Sequence, residues 1–412
     1  MERHGRPVHG QTKTGRPLYH AHAGKITKTV NLHFAISPIP KTFFGPGKIH
    51  VAPKLLEPFQ TKVLVITGKR FAETPAWEIF KKFPSAPIFG EPSPKTIDNL
   101  VTNFRPYNIK AVVAIGGGSV IDTGKAVSAM LRVDGSVADY LETVGSRIHS
   151  GEKVPFFAIP TTAGTGSEAT KNAVISVVGS AGFKKSLRHD AFMPNYAIID
   201  PELTLSCPRS LTACCGMDAL SQLLESYVST KATLFSETCA FDGLCYFGKY
   251  FNRVLANGSD LEARTGLAYA AYLSGLSLCF GGLGAVHGLA GAIGGMCQVP
   301  HAQACATLMY QTNRATIQRL LEKEGPNGPA VAKFVKAAHA LVGTGTMAPK
   351  EACEYLLEKI AQWSASAGLK KLATFGFSHT MAETIMRKPD YKNNPVPLSE
   401  DEINTIFQEQ LQ

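Results

Sequence analysis

The sequence predicts a two-part fold, an N-terminal α/β domain on a parallel sheet and a C-terminal all-helical domain. Three observations predict it. Continuous apolar runs alternate with helical spacing between residues 62 and 200. Such runs vanish after Pro201, where long segments of helical period take over. The chain has 412 residues, enough for two domains, and 44% of them are hydrophobic, enough for a core.

Taken in order, Asn31–Ile36 alternates polar and apolar residues and reads as an edge strand, and Phe43–Gly47 as a turn. Lys62–Thr67 is a buried strand ending at Gly68. Pro75–Lys82 reads as helix and Ala86–Phe89 as a short strand. Thr96–Phe104 is a helix with Ile97, Leu100, Val101 and Phe104 on one face. Ala111–Ile115, Phe156–Pro160 and Ala197–Asp200 are further apolar strands. Strands that are apolar throughout are covered on both faces, which indicates a parallel sheet between helices. From about Leu211 onward Gly and Pro separate helical segments. The expected division is an extension over 1–29, a nucleotide-binding domain over 30–205 and a helical domain over 206–412, hinged at Asp200–Pro201. Residues 1–29 hold few large apolar residues and are expected to be disordered.

Bulk properties exclude several classes. The net charge is +10, but half of it comes from the first thirty residues, where six Arg and Lys face Glu2 alone. No basic helix interleaved with aromatics occurs, so nucleic acid is not the expected partner. No stretch is long and apolar enough to span a bilayer. The start lacks the apolar core of a secretory signal, so a cytoplasmic protein is expected. Nine cysteines without a CxxC pair read as reduced thiols rather than a disulfide framework.

Two loops carry chemistry. Gly116-Gly117-Gly118-Ser119 follows a buried strand and leads into a helix through Asp122. That geometry offers free backbone N–H groups and a positive helix end to a phosphate. Alone, the triplet fits a ligand-free turn nearly as well. Thr161, Thr162, Thr165 and Ser167, spaced by glycines, follow the strand ending at Pro160. Two polar loops at the carboxyl ends of neighbouring strands are what a nucleotide crevice requires, and counted together they outweigh the reading of a Ser/Thr-rich surface loop.

These residues also carry a resemblance. GGGSxxDxxK at 116–125 and PTTAGTGSE at 160–168 resemble the paired signatures of the iron-containing, group III alcohol dehydrogenases. FGPG at 44–47, DPELT at 200–204, GMDAL at 216–220, VHG at 286–288 and PH at 300–301 continue the likeness in order. The resemblance implies a Rossmann-like domain joined to a helical one, as in dehydroquinate synthase. It implies NAD(P)-dependent hydride transfer between a small alcohol and its aldehyde or ketone. Gly68 and Lys184 join Gly116–Ser119, Asp122, Thr161, Thr162, Thr165 and Ser167 as cofactor-binding residues it implies.

The family holds one divalent metal with Asp and His four residues apart on a helix and two later His. Here the matching residues are Asp218, Gln222, His287 and His301. An O/N set of this kind suits Fe(II) or Zn(II). Asp218, His287 and His301 are the implied catalytic centre, and Gln222 is a departure that weakens or alters metal binding. Gly291 stands where many relatives carry a further His for proton relay. Leu278 and Phe280 lie in a segment that lines the substrate pocket in relatives and make it more apolar, with helix packing as the competing explanation. Relatives that prefer NAD carry an Asp at the position of Gly68. Here Thr67-Gly68-Lys69-Arg70 lacks the acid, so NADP(H) is expected to be accepted and slightly favoured. Two readings stay open beside the dehydrogenase: a same-fold lyase or cyclase, and a nucleotide-binding protein with a degraded metal site. An edge strand at 31–36 offers pairing across a homodimer.

Overall fold

The computed structural model describes residues 33–179, 181–343 and 347–411. The expectation for residues 1–29 lies outside this range.

A six-stranded sheet forms around four continuous apolar runs, Val63–Ile66, Ala111–Ile115, Phe156–Pro160 and Ala197–Ile199, that are buried on both faces. Its strands are β1 (Lys41–Phe44), β2 (Val63–Gly68), β3 (Ser85–Ile88), β4 (Ala111–Gly116), β5 (Phe156–Pro160) and, after a hairpin, β8 (Tyr196–Ile199). The order is β1-β8-β5-β4-β2-β3, and every pairing is parallel. The helices of this half are the short α1 (Ala52–Leu56), α2 (Pro94–Phe104) and α3 (Gly118–Met130). Helix α2 starts where Ser93 Oγ accepts from Thr96 N at 3.2 Å, a cap worth about 1 kcal/mol. Helix α3 lies on the sheet so closely that a Cβ at Gly124 would stand 2.6 Å from Ala114 Cβ and 2.9 Å from the Phe156 ring.

Two expectations need correction, and one hairpin adds to them. Residues 33–36 are not a strand; the edge strand is β1, in part of the segment read as a turn. The pairing of Phe43 with Ile198 and Phe44 with Ile199 brings it into the sheet. The segment 75–82 forms only a 3₁₀ turn, Pro75–Ile79, held by Phe71 packing on Trp77 and Phe80. An antiparallel hairpin, β6 (Asn172–Val177) with β7 (Phe183–Arg188), was not foreseen.

Beyond Ile199 every described element is helical. They are α4 (Arg209–Val228), α5 (Leu234–Ala256), α6 (Leu261–Gly281), α7 (Ala285–Met296), α8 (His301–Glu324), α9 (Pro329–Val342), α10 (Pro349–Ala367), α11 (His379–Met386) and α12 (Glu400–Leu411). Their core joins Met217, Leu220 and Leu224 of α4 to Phe247 and Phe251 of α5 and Leu267 of α6. Helix α4 is buried nearly all round, so it runs through the helical half rather than over it. No single described helix is long and apolar enough to cross a membrane.

One tie closes the N-terminal half on itself, and one close contact joins it to the helical half. Asp200, at the end of β8, accepts from Gly47 N at 3.2 Å, Ile49 N at 2.9 Å and Glu202 N at 3.1 Å. Gly166, in the loop after β5, meets Gly275 of α6 backbone to backbone. A Cβ on Gly275 would fall 2.3 Å from the Gly166 carbonyl oxygen.

Candidate active site

A cleft with a cavity volume of about 990 Å³ runs between the sheet's carboxyl edge and the helical half. Parallel strands place all their following loops on one side, so β2, β4 and β5 open their loops into it. Gly68, Gly116, Gly117, Gly118, Ser119, Asp122, Thr161, Thr162, Thr165, Ser167 and Lys184 all line this cavity, as do Gln222, His287 and His301 from the other side.

The phosphate end is built from backbone. Helix α3 begins at Gly118, and Gly117 at its N-cap offers no side chain to its first N–H groups. These donors and the positive helix end therefore face the cleft. The turn and the Thr161 loop touch: Thr161 N donates to Gly116 O at 3.0 Å. A Cβ on Gly118 would lie 2.7 Å from Thr165 Oγ1.

Beneath the turn, Asp122 and Lys125 tie the loops together. Lys125 Nζ, almost fully buried, reaches Ser167 O at 2.9 Å, Ser167 Oγ at 3.2 Å, Thr170 Oγ1 at 3.1 Å and Asn172 O at 2.8 Å. Asp122 accepts from Ser167 Oγ and from Val174 N. Burial pushes Lys125 down to about 8, against the pull of Asp122 3.8 Å away. Burial likewise raises the Asp122 carboxyl, with Lys125 opposing it. Glu168, beside the same loop, is pushed up to about 7 by burial. Asp122 and Ser167 thus line the cleft while spending their polar atoms on the framework.

The opposite wall carries the candidate metal centre. Asp218 of α4, His287 of α7 and His301 at the start of α8 converge with Cys305, one turn further along α8. One donor atom from each of the four lies within 4.8 Å of all the others. His287 Nε2 stands 3.3 Å from Asp218 Oδ1. Yet both Asp218 oxygens and His287 Nε2 are buried without a hydrogen-bond partner. Leaving such atoms unsatisfied costs about 1–3 kcal/mol each, more when charged. A dication would satisfy all three, so these residues fit one.

Their surroundings prepare them. Glu225, seven residues after Asp218, accepts from His287 Nδ1 at 2.6 Å and from Val286 N at 2.6 Å. It fixes the imidazole with Nε2 aimed at the cluster. Burial opposes charge on His287, but Cys305, Glu225 and Asp218 outweigh it and raise its pKa. Asp218 is held below the usual carboxylate range: burial opposes this, and the two imidazoles prevail. Burial, with Lys184 nearby, pushes His301 down to about 4, so its imidazole is neutral and ready to coordinate.

Gln222 lines the cleft, and its Oε1 lies 2.6 Å from Ser274 Oγ of α6. Lys184 Nζ pairs with Glu91 at 3.0 Å on the cleft wall. Lys69 and Arg70 flank Gly68 at the far end. Leu278 lines the cavity as expected, whereas Phe280 packs edge-to-face on Phe235 with centroids 5.2 Å apart, the helix-packing alternative. Glu225 and Cys305 escaped the sequence reading. The signal was present in their spacing, seven residues from Asp218 and four from His301, both of which return to the same helical face.

Comparison with known proteins bears on this arrangement. A family profile described as iron-containing alcohol dehydrogenase matches residues 40–201. A second, described as the C-terminal part of the Fe-containing alcohol dehydrogenase family, matches 212–411. Long-chain-alcohol dehydrogenase 1 of Geobacillus thermodenitrificans is 31% identical over 328 residues, 78% of this chain and 80% of the relative. The NAD-dependent methanol dehydrogenase of Bacillus methanolicus is 34% identical over 325 residues, 74% of this chain and 83% of the relative. The crystal structure of a 1,3-propanediol oxidoreductase has a TM-score of 0.79 at 27% identity, covering 92% of this chain and all of that one.

Proposed function

The chain belongs to the iron-containing alcohol dehydrogenase family and is an alcohol dehydrogenase, and from that premise we propose how its residues divide the work. Residues 30–205 hold the dinucleotide and 206–412 hold the metal, with a small alcohol or its aldehyde or ketone between them. The observation that carries this reading is the set of partnerless buried atoms on Asp218 and His287 across the cleft from the bare glycine turn.

The backbone N–H groups at Gly117–Ser119 bind the pyrophosphate. Thr161, Thr162 and Thr165 offer hydroxyls to the ribose and amide, and Lys184 adds a cation on the same wall. Asp122, Lys125 and Ser167 keep the two loops in register. Asp218, His287 and His301 would hold Fe(II) or Zn(II), with Glu225 orienting His287. When bound, the metal supplies Lewis acidity to the substrate oxygen while nicotinamide supplies or takes the hydride. Gly291 offers no imidazole, so the alcohol proton leaves through hydroxyls or water in the cleft.

Lys69 and Arg70 face the cavity and no acid stands at Gly68. That favours NADP(H) over NAD(H), since a carboxylate there would repel the 2′-phosphate. Nine free thiols fit a cytoplasmic location. The partner is a second copy rather than nucleic acid or membrane: β1 is a sheet edge, and Phe34, Ile36 and Ile39 beside it are 42%, 49% and 46% exposed. The test is NAD(P)H oxidation with aldehydes and ketones on metal-quantified protein. Turnover that disappears with a chelator and returns with Fe(II) or Zn(II) is expected. Full turnover by metal-free protein would overturn the metal assignment.

A further inference from the structure

A metal centre of Asp218, His287 and His301 has a fourth position to fill, and two side chains are candidates. Gln222 sits four residues after Asp218 on α4. Its Oε1 lies 2.6 Å from Ser274 Oγ, which also reaches Ala271 O at 2.7 Å and Gly164 O at 3.4 Å. One lone pair of the amide oxygen is thus turned to α6, and the amide is a neutral, weak donor to a metal. Cys305 sits four residues after His301 on α8 and is fully buried. Its Sγ lies 3.7 Å from His301 Nε2 and 3.9 Å from Nδ1.

The distances around Cys305 are those of a metal ligand. Metal bonds of about 2.0 Å to nitrogen or oxygen and about 2.3 Å to sulfur set tetrahedral edges of about 3.3 Å between two N/O ligands and about 3.5 Å between an N/O ligand and sulfur. His287 Nε2 to Asp218 Oδ1, at 3.3 Å, matches the first, and Cys305 Sγ to His301 Nε2, at 3.7 Å, comes within about 0.2 Å of the second. Cys305 also closes a cluster whose donor atoms all lie within 4.8 Å of one another. The partnerless atoms of Asp218 and His287 stand in the same cluster.

Building on the metal reading above, we propose that Cys305, not Gln222, supplies the fourth protein ligand of this centre. The thiol gives up its proton to solvent when the ion binds. The resulting Asp/His/His/Cys set is softer than one of carboxylate and imidazole alone and moves the preference from Fe(II) toward Zn(II). Gln222 keeps α4 joined to α6 through Ser274 and does not bind the ion.

Cobalt(II) titrated into the chelator-stripped full chain tests this without reference to activity. One equivalent is expected to give visible d–d bands and a near-ultraviolet sulfur-to-cobalt charge-transfer band. Cys305→Ser should lose the charge-transfer band, keep the d–d bands and weaken Zn(II) binding by more than about 10-fold. Gln222→Ala should keep both features. X-ray absorption of the zinc-loaded parent protein should show one sulfur at about 2.3 Å, which settles the matter even where the serine variant folds poorly. Bound cobalt with no charge-transfer band, or a band that survives in Cys305→Ser, would overturn the Cys305 assignment and leave the metal reading intact. No stoichiometric cobalt at all would overturn both.

Discussion

Asp218 is the buried carboxylate behind the cleft wall that His287 and His301 line. It is completely buried, and neither oxygen has a hydrogen-bond partner. A bound dication would offset such desolvation beyond what the neighbouring imidazoles supply. Asp218→Ala is expected to abolish stoichiometric metal binding and to lower kcat/KM by on the order of 1,000-fold, the scale of several kcal/mol of charge stabilisation. Metal analysis and steady-state rates on one sample check this. Glu225 acts one step back, as a positioning residue. Glu225→Gln keeps shape but weakens the carboxylate–imidazole contact, so metal affinity should fall by about 10–100-fold. Competition titration against a chelator reads that loss, and fold stability by circular dichroism should change far less. At the other end of the cleft, Gly68→Asp should turn the kcat/KM ratio toward NADH by about 10-fold or more, because the new carboxylate faces the 2′-phosphate. An unchanged ratio would mean the cofactor's ribose lies elsewhere.

The elements show what the sequence could and could not convey. Val63–Gly68, Ala111–Gly116 and Phe156–Pro160 were legible because strands buried on both faces read as continuous apolar runs. Strand β1 was not: Lys-Thr-Phe-Phe is short and runs straight into glycines, and only pairing with β8 makes it a strand. The hairpin β6–β7 was missed because its strands neither alternate nor run apolar throughout: Asn172-Ala173-Val174-Ile175-Ser176-Val177 is interrupted by Ser176, and Phe183-Lys184-Lys185-Ser186-Leu187-Arg188 holds only two apolar residues. At the site, Asp218, His287, His301 and the two loops were legible through ordered motifs. Cys305 and Glu225 were not, because a thiol and a carboxylate on buried helices look like core and surface until the fold brings them together. The loop after β5 gives a pH test at this scale. Burial raises Glu168 from 4.5 to about 7. Between those values the unfolded chain has released its proton and the folded chain has not, so stability falls as pH rises through this window. The loss approaches about 3 kcal/mol and is complete above the folded value. Glu168→Gln should flatten the stability profile between pH 4.5 and 7 in denaturant titrations. An identical slope in parent and variant would place the ionisation elsewhere.

At the scale of the molecule, the fold sets one lobe's loops against another lobe's helices and places a sheet edge at the periphery. The exposed Phe34, Ile36 and Ile39 beside β1 predict a dimer in sedimentation velocity, and Ile36→Lys with Ile39→Lys should shift it toward monomer without loss of helical content. A monomeric parent chain would contradict this. The cleft itself asks for a more direct measurement. Crystals grown with zinc and NADP+ should give an anomalous difference peak enclosed by Asp218, His287 and His301, with the pyrophosphate against Gly117–Ser119 on the facing wall. A peak away from these three side chains, or a dinucleotide bound outside the cleft, would contradict the account.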